Sequence, residues 1–258
     1  MFLKVASLVD KTYPYLSPDD LVTRARAVMR DFGVRVLPVI TRGKLVGVVT
    51  RVGVLSITST RSNFRVLDIA EEPRLTLDVN DDVVESVRKM IKADEWYVPV
   101  LSGGKYVGMF GLEDFMRYLL TYESPKHETP VGEIMTKEVE TVTPDTHVSR
   151  LWLKMLRHRF AGFPVVNKRG KVVGFVSQHD LIKAGFTRIE LESESAPRKG
   201  PRVRNIMVTP PITLTPNEPV RTALYLMVRR NIGRIPIVDE KGFLKGIIDR
   251  EDVCRVFI

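Results

Sequence analysis

The residues best suited to chemistry stand in one short phrase, Ser177-Gln178-His179-Asp180, where a hydroxyl is followed three positions later by a carboxylate at the end of an apolar run. Related phrases occur at Thr50-Arg51-Val52-Gly53, Gly111-Leu112-Glu113-Asp114 and Asp249-Arg250-Glu251-Asp252. At the start of a helix, Ser/Thr-x-x-Asp has a plain structural use, since the hydroxyl caps a free N–H and the carboxylate caps back. The same geometry suits a nucleotide. Unpaired N–H groups present partial positive charge to a phosphate, and a neighbouring carboxylate accepts both ribose hydroxyls. His179 could add a phosphate contact, although a histidine at a helix start is more simply an exposed one. No other reactive set emerges: the four histidines lack metal-ligand spacing, Cys254 stands alone, and neither a glycine-rich phosphate loop nor a Ser-His-Asp or Cys-His order can be argued. An enzyme, a metal and a required cofactor are therefore not expected.

The elements that must position these phrases recur. Met29, Met90, Met155 and Met227 each precede a proline by nine residues (Pro38, Pro99, Pro164, Pro236), and Gly47, Gly108, Gly174 or Gly246 follows nine or ten residues later. Four such matches among nine methionines have a chance probability of roughly 10⁻⁶, so the chain is four copies of one supersecondary unit. Within a copy, Val148, Leu151, Trp152, Met155 and Leu156, or Val220, Ala223, Leu224, Met227 and Val228, mark one face of a helix. Ser17-Pro18, Thr143-Pro144 and Thr215-Pro216 precede the helices as turn-and-start signals, and the second copy has Asp78-Val79 instead. Two β-rich runs follow each helix, then a second helix, while a short extended segment leads in, giving the order β-α-β-β-α. The expected fold class is α/β (α+β).

A unit of about sixty residues buries too little surface alone, so pairing of copies is expected, one with two and three with four. The boundaries read 1–60, 61–122, 129–187 and 200–258, with polar linkers at 122–130 and 187–201. The apolar content of 44% supports an ordinary core, no apolar run approaches a membrane span, and the start lacks a secretory signal, so a cytoplasmic protein without a membrane partner is expected. One glutamine, six asparagines and 28% charged residues lean toward a thermophilic source. The net charge of +9 fits either solvated helix faces or phosphate-bearing partners. Missing zinc-finger, helix-turn-helix and RNA-binding sheet signatures argue against nucleic acid.

Taken together, the extended lead-ins Thr141-Val142-Thr143-Pro144 and Thr213-Leu214-Thr215-Pro216, the marker methionine, the Pro-Val or Pro-Ile strand, the glycine and the closing Ser/Thr-x-x-Asp resemble a CBS (cystathionine beta-synthase) domain. The resemblance covers almost the whole chain. It implies four CBS repeats paired into two Bateman modules in a disc-like assembly, similar in arrangement to the gamma subunit of AMP-activated protein kinase. It further implies an adenine-nucleotide sensor for AMP, ADP, ATP or S-adenosylmethionine that regulates an unidentified protein, with homodimerisation left open. Carried over by position, it assigns Asp180 to ribose, Ser177 to phosphate and Thr141, Val142 and Thr143 to the base in the third copy, and Asp252 with Ile212, Thr213 and Leu214 in the fourth. Arg234 occupies the place of a phosphate-contacting arginine, where the other copies have Val36, Tyr97 and Gly162.

Departures from the pattern rank the sites. Gly53 lacks the ribose carboxylate, a charge-assisted hydrogen bond worth about 1.5–3 kcal/mol. Gly111 lacks the hydroxyl but leaves Asp114, and Asp249 places a carboxylate where phosphate would approach. The third-copy site ranks first, followed by the fourth and second. The alternatives are a scaffold with vestigial clefts and a nucleic-acid-binding protein that uses its basic surface.

Overall fold

The computed structural model describes residues 3–57, 64–185 and 200–258. Copy one contains α1 (Val22–Phe32), β1 (Val36–Thr41), β2 (Lys44–Thr50) and α2 (Arg51–Ser56). Copy two contains β3 (Leu77–Asp78), α3 (Val83–Lys92), β4 (Tyr97–Ser102), β5 (Lys105–Gly111) and α4 (Leu112–Leu119). A single turn, α5 (Val131–Ile134), leads into copy three, with α6 (Val148–His158), β6 (Gly162–Val166), β7 (Val172–Ser177) and α7 (Gln178–Lys183). Copy four contains α8 (Val220–Arg229), β8 (Arg234–Val238), β9 (Leu244–Asp249) and α9 (Arg250–Arg255). The expected linker at 187–201 and the boundary at 60/61 fall outside the described residues up to positions 199 and 63. The stretch 122–130 is packed rather than free: His127 is buried, its Nε2 lies 3.1 Å from the Leu119 carbonyl oxygen, and its ring sits 4.9 Å from that of Phe257.

The lead-in is a true strand only in copy two, where β3 runs parallel to β4. Elsewhere it shrinks to single parallel bridges, Leu16 with Val39, Val142 with Val165 and Leu214 with Ile237. The cause is the residue two positions on. In copy two the Val79 N–H donates to the Leu101 carbonyl at 3.0 Å, whereas Pro18, Pro144 and Pro216 have no N–H to donate. Each helix starts four residues after its proline, at Val22, Val148 and Val220.

The repeat glycines mark where paired copies cross. Immediately after each glycine, a strand residue exchanges both backbone hydrogen bonds with the segment entering the partner copy: Val48 with Glu71, Met109 with Asp10, Phe175 with Val208 and Ile247 with Thr136, all at 2.8–3.0 Å. A Cβ at Gly108 would stand 2.4 Å from the Asp10 carbonyl oxygen, and one at Gly47 or Gly246 would stand 2.9 Å from the oxygen of Glu71 or Thr136. Only glycine admits so close a backbone. The crossings are reciprocal, so sheets pair one with two and three with four.

Helices join the other way. One apolar core combines copies one and three through Met29, Leu37, Leu151, Met155 and Leu181. A second combines copies two and four through Met90, Phe110, Leu119, Met227 and Ile237. The four marker methionines are buried in these cores. Of the helix face expected in copy three, Val148, Leu151, Trp152 and Met155 are buried, while Leu156 remains 40% exposed.

Gly108→Ala should destabilise by about 1–3 kcal/mol, because its Cβ meets fixed backbone. At Gly53 a Cβ finds only ordinary contacts, the nearest at 3.5 Å, so Gly53→Ala should be neutral or gain up to about 1 kcal/mol. Urea denaturation of the two variants checks the contrast.

Candidate functional site

β7 delivers Ser177 to the mouth of α7, and there the capping geometry forms with one change. Both the Ser177 backbone N–H and its hydroxyl donate to Asp180 Oδ2, each at 2.7 Å. Here the Ser177 hydroxyl serves the carboxylate. Asp180 Oδ1 makes no further hydrogen bond among the described residues and remains available as an acceptor.

This corner opens into a cavity of about 450 Å³. Its opposite wall comes from copy four, including Val208 and Ile212. Because lead-ins cross at the glycines, Asp180 shares its space with the lead-in of its partner copy, and the expected grouping with Thr141, Val142 and Thr143 is overturned. Those residues are used locally: the Thr141 carbonyl accepts from Lys154, Val142 is buried against β6, and the Thr143 N–H donates to Thr146. The same exchange moves Asp252 away from Ile212, Thr213 and Leu214. Asp252 lines a smaller cavity of about 150 Å³ with Val139 and Glu140 of copy three, while Leu214 is buried in the core.

Arginines dominate the larger cavity. Arg35 and Arg51 enter from copy one, Arg234 and Arg250 from copy four. Arg51 gives its donors to the backbone carbonyls of Val34 and Gly33 and has no carboxylate partner among the described residues. Burial lowers it to about 10. Arg35 likewise has no ion pair among the described residues; burial, then the charges of Arg234, Arg51 and Arg250, push it well below the ordinary guanidinium range. Its guanidinium lies 4.1 Å from the centre of the Trp96 ring, with Arg234 at 4.8 Å and Arg250 at 5.9 Å around the same indole. Arg250 alone is well supplied, with Glu113 at 3.1 Å, Asn231 at 3.1 Å and the Tyr97 hydroxyl. Arg234 reaches Asp249 only at 3.9 Å and borders both cavities. It is not a surface arginine.

His179 also lines the larger cavity; burial, then Arg51, hold its imidazole below the usual value, and its buried Nδ1 has no hydrogen-bond partner among the described residues. Arg35, Arg51, Arg250 and Trp96 were not anticipated from sequence. A partial signal existed, since Arg51 and Arg250 share the second position of their closing phrases and Arg35 is flanked by valines.

The other corners are closed or altered. Asp114 accepts from the Gly111 N–H at 2.8 Å and from Arg117 at 2.8 Å, and burial raises it to about 6. Space beside it is taken by Tyr13 and Tyr97, whose rings lie 6.1 Å apart, and the Tyr13 hydroxyl donates to the Val36 carbonyl. A Cβ at Gly111 would strike the Tyr97 ring at 2.6 Å, so a hydroxyl residue fits there only if that ring shifts. At the fourth phrase, Asp249 caps α9 by accepting from the Glu251 and Asp252 N–H groups, and burial with the Asp249 charge raises Asp252 to about 7. Among the described residues no cluster of His, Cys, Asp or Glu could hold a metal, and no helix is long and apolar enough to cross a membrane.

Because the fold raises the carboxyl of Asp252, its stabilising effect is complete below the unfolded value and is lost as pH rises toward 7. Asp252→Asn should therefore raise Tm more at about pH 8 than at about pH 5, where the neutral acid already fits. Thermal melts at the two pH values measure it, and equal effects would place the carboxyl in the ordinary range.

A model of the CBS domain family matches residues 5–58, 66–121, 131–186 and 203–258. Protein MJ1225 of Methanocaldococcus jannaschii is 24% identical over the whole of both chains. Its crystal structure, described as a candidate archaeal homologue of g-AMPK, superimposes with a TM-score of 0.86 at 23% identity, covering 99% of this chain and all of that one. A conserved protein of Pyrococcus horikoshii covers 99% and 100% with a TM-score of 0.68 at 21% identity. These likenesses establish the fold. Homoserine O-acetyltransferase of Methanococcoides burtonii is 34% identical over 128 residues, half of this chain but only 24% of the enzyme.

Proposed function

This chain belongs to the CBS domain family, and we propose that it is a regulatory protein whose central cavity binds one adenine nucleotide, AMP, ADP or ATP. The observation that carries this reading is the pair of cavity-lining guanidiniums, Arg35 and Arg51, which have no ion pair among the described residues and face the Ser177–Asp180 corner. Carbonyls and an indole face hold these cations but leave their charge unneutralised, and a phosphate supplies the counter-charge. In this arrangement Asp180 Oδ1 accepts the ribose hydroxyls, the apolar walls at Val208 and Ile212 take the base, and Arg35, Arg51 and Arg234 hold the phosphates. S-adenosylmethionine, which has no phosphate, leaves the arginines unanswered and ranks below the nucleotides.

Such a ligand touches copies one, three and four together. Its affinity then depends on how the two sheet-paired modules sit, and occupancy shifts that setting in favour of one surface presented to a partner protein. The adenine preference rests on the family. The phosphate preference rests on the arginines.

Isothermal titration of the full chain should give a Kd below about 1 mM for at least one of AMP, ADP and ATP, and failure of all three overturns the reading. Asp180→Ala should weaken binding at least about tenfold. Arg35→Met should weaken it similarly without lowering the Tm of the ligand-free protein, because the cation it removes has no counter-charge. A scaffold with vestigial clefts would show no change in melting temperature with any nucleotide.

A further inference from the structure

A second large cleft carries the opposite charge. It lies between copies one and two, has a volume of about 410 Å³, and is closed on one side by residues of copy three. Val36, Val48, Pro99, Met155 and Leu156 make its walls apolar. Its rim holds four carboxylates, Glu71, Glu72, Asp94 and Glu95, against two guanidiniums, Arg74 and Arg159. Arg74 is already drawn to Glu95 at 3.6 Å, yet burial, then the neighbouring Asp94 and Glu71 charges, keep Glu95 above the usual carboxylate value.

A second observation is independent of that charge. Gln178, the only glutamine in the chain, is 8% exposed and lines this cleft from copy three. Its backbone N–H donates to the Ala161 carbonyl at 2.9 Å, but its side-chain amide has no hydrogen-bond partner among the described residues. An amide that faces the cleft without a protein partner offers a ligand its acceptor oxygen and two donors. Within one phrase the chain thus turns Ser177, His179 and Asp180 to the cationic cavity and Gln178 to the acidic cleft.

We propose that this cleft is a separate binding site for an aliphatic polyamine, whose methylenes cover the apolar walls while its ammonium groups meet the rim carboxylates and the Gln178 amide oxygen. Phosphate is repelled by the rim, and Gly53 leaves no carboxylate at the position where the third phrase has Asp180. A divalent ion is a poorer match, since no group of described residues is poised to ligate a metal. With a net charge of +9, the chain as a whole repels polycations, so retention of one reports a local site.

Titration of the full chain with spermidine at low salt should show one site that weakens at least about tenfold between roughly 0.05 and 0.5 M NaCl. Replacing Glu71→Gln and Glu72→Gln together should cut affinity at least about fivefold, and Gln178→Leu should cut it about threefold or more. Asp19→Asn, at an exposed ion pair with Arg65, should change nothing. No binding below about 1 mM, an equal loss in Asp19→Asn, or competition between spermidine and AMP for one site would overturn the proposal. An AMP affinity unchanged by the paired glutamate replacements would support it and keep this site distinct from the central one.

Discussion

Four close backbone crossings hold this protein in its arrangement. At each repeat glycine, the segment entering one copy lies flat on a strand of its partner and exchanges two hydrogen bonds with the next residue. An unpaired backbone group buried there would be costly, and a side chain on the glycine would forbid the approach. Because the crossings are reciprocal, neither copy of a pair is complete alone. They also decide the composition of every cleft: the carboxylate ending one copy faces the lead-in of the other, which is why Asp180 meets Ile212 and Asp252 meets Glu140.

The helices add a second, crosswise set of bonds. Copies paired by sheets have separate apolar cores, while copies one and three, and two and four, share theirs. Each copy is therefore tied to one neighbour by hydrogen bonds and glycine contacts and to another by buried apolar surface. Polar strand ends are left to meet at the centre, where Arg35, Arg51, Arg234 and Arg250 collect beside Arg230. Trp96 makes this tolerable without neutralising it. Its ring face attracts three guanidiniums, and its indole N–H donates to Glu251 at 2.9 Å, which fixes the ring. A carboxylate in the same place would discharge the cavity, whereas a π face steadies the cations and leaves their charge available.

Much of this could be read from sequence because it repeats. The Met-Pro-Gly register specifies the copies, their helices and strands and the closing phrases, and the prolines even explain why only copy two extends its lead-in strand. What a repeat cannot reveal is which copy each phrase faces, since identical periodicities fit crossed and uncrossed lead-ins equally. Assigning Thr141–Thr143 to Asp180 followed chain proximity, and the crossing at Gly174 and Gly246 reversed it. Arg35, Arg51 and Arg250 escaped notice for a related reason: a cation in the sequence looks solvated until the fold encloses it. Tyr13 and Tyr97 were equally silent, because closure of the Asp114 corner depends on two rings distant in sequence meeting beside it.

The corners at the four closing phrases differ by distinct chemical means. One corner is closed by tyrosine rings, one is crowded with carboxylates, one has Gly53 in place of a carboxylate, and one keeps an open acceptor beside Arg35 and Arg51, which have no ion pair among the described residues. A ring of equivalent sites could fill stepwise while leaving its overall balance nearly unchanged. Here the central cavity brings Arg35 and Arg51 of one module together with Asp180 of the other. Any ligand that satisfies both must load the contact between modules, since neither module alone holds both halves. In the proposed function, the broken symmetry is what couples occupancy of this one cavity to how the two modules meet.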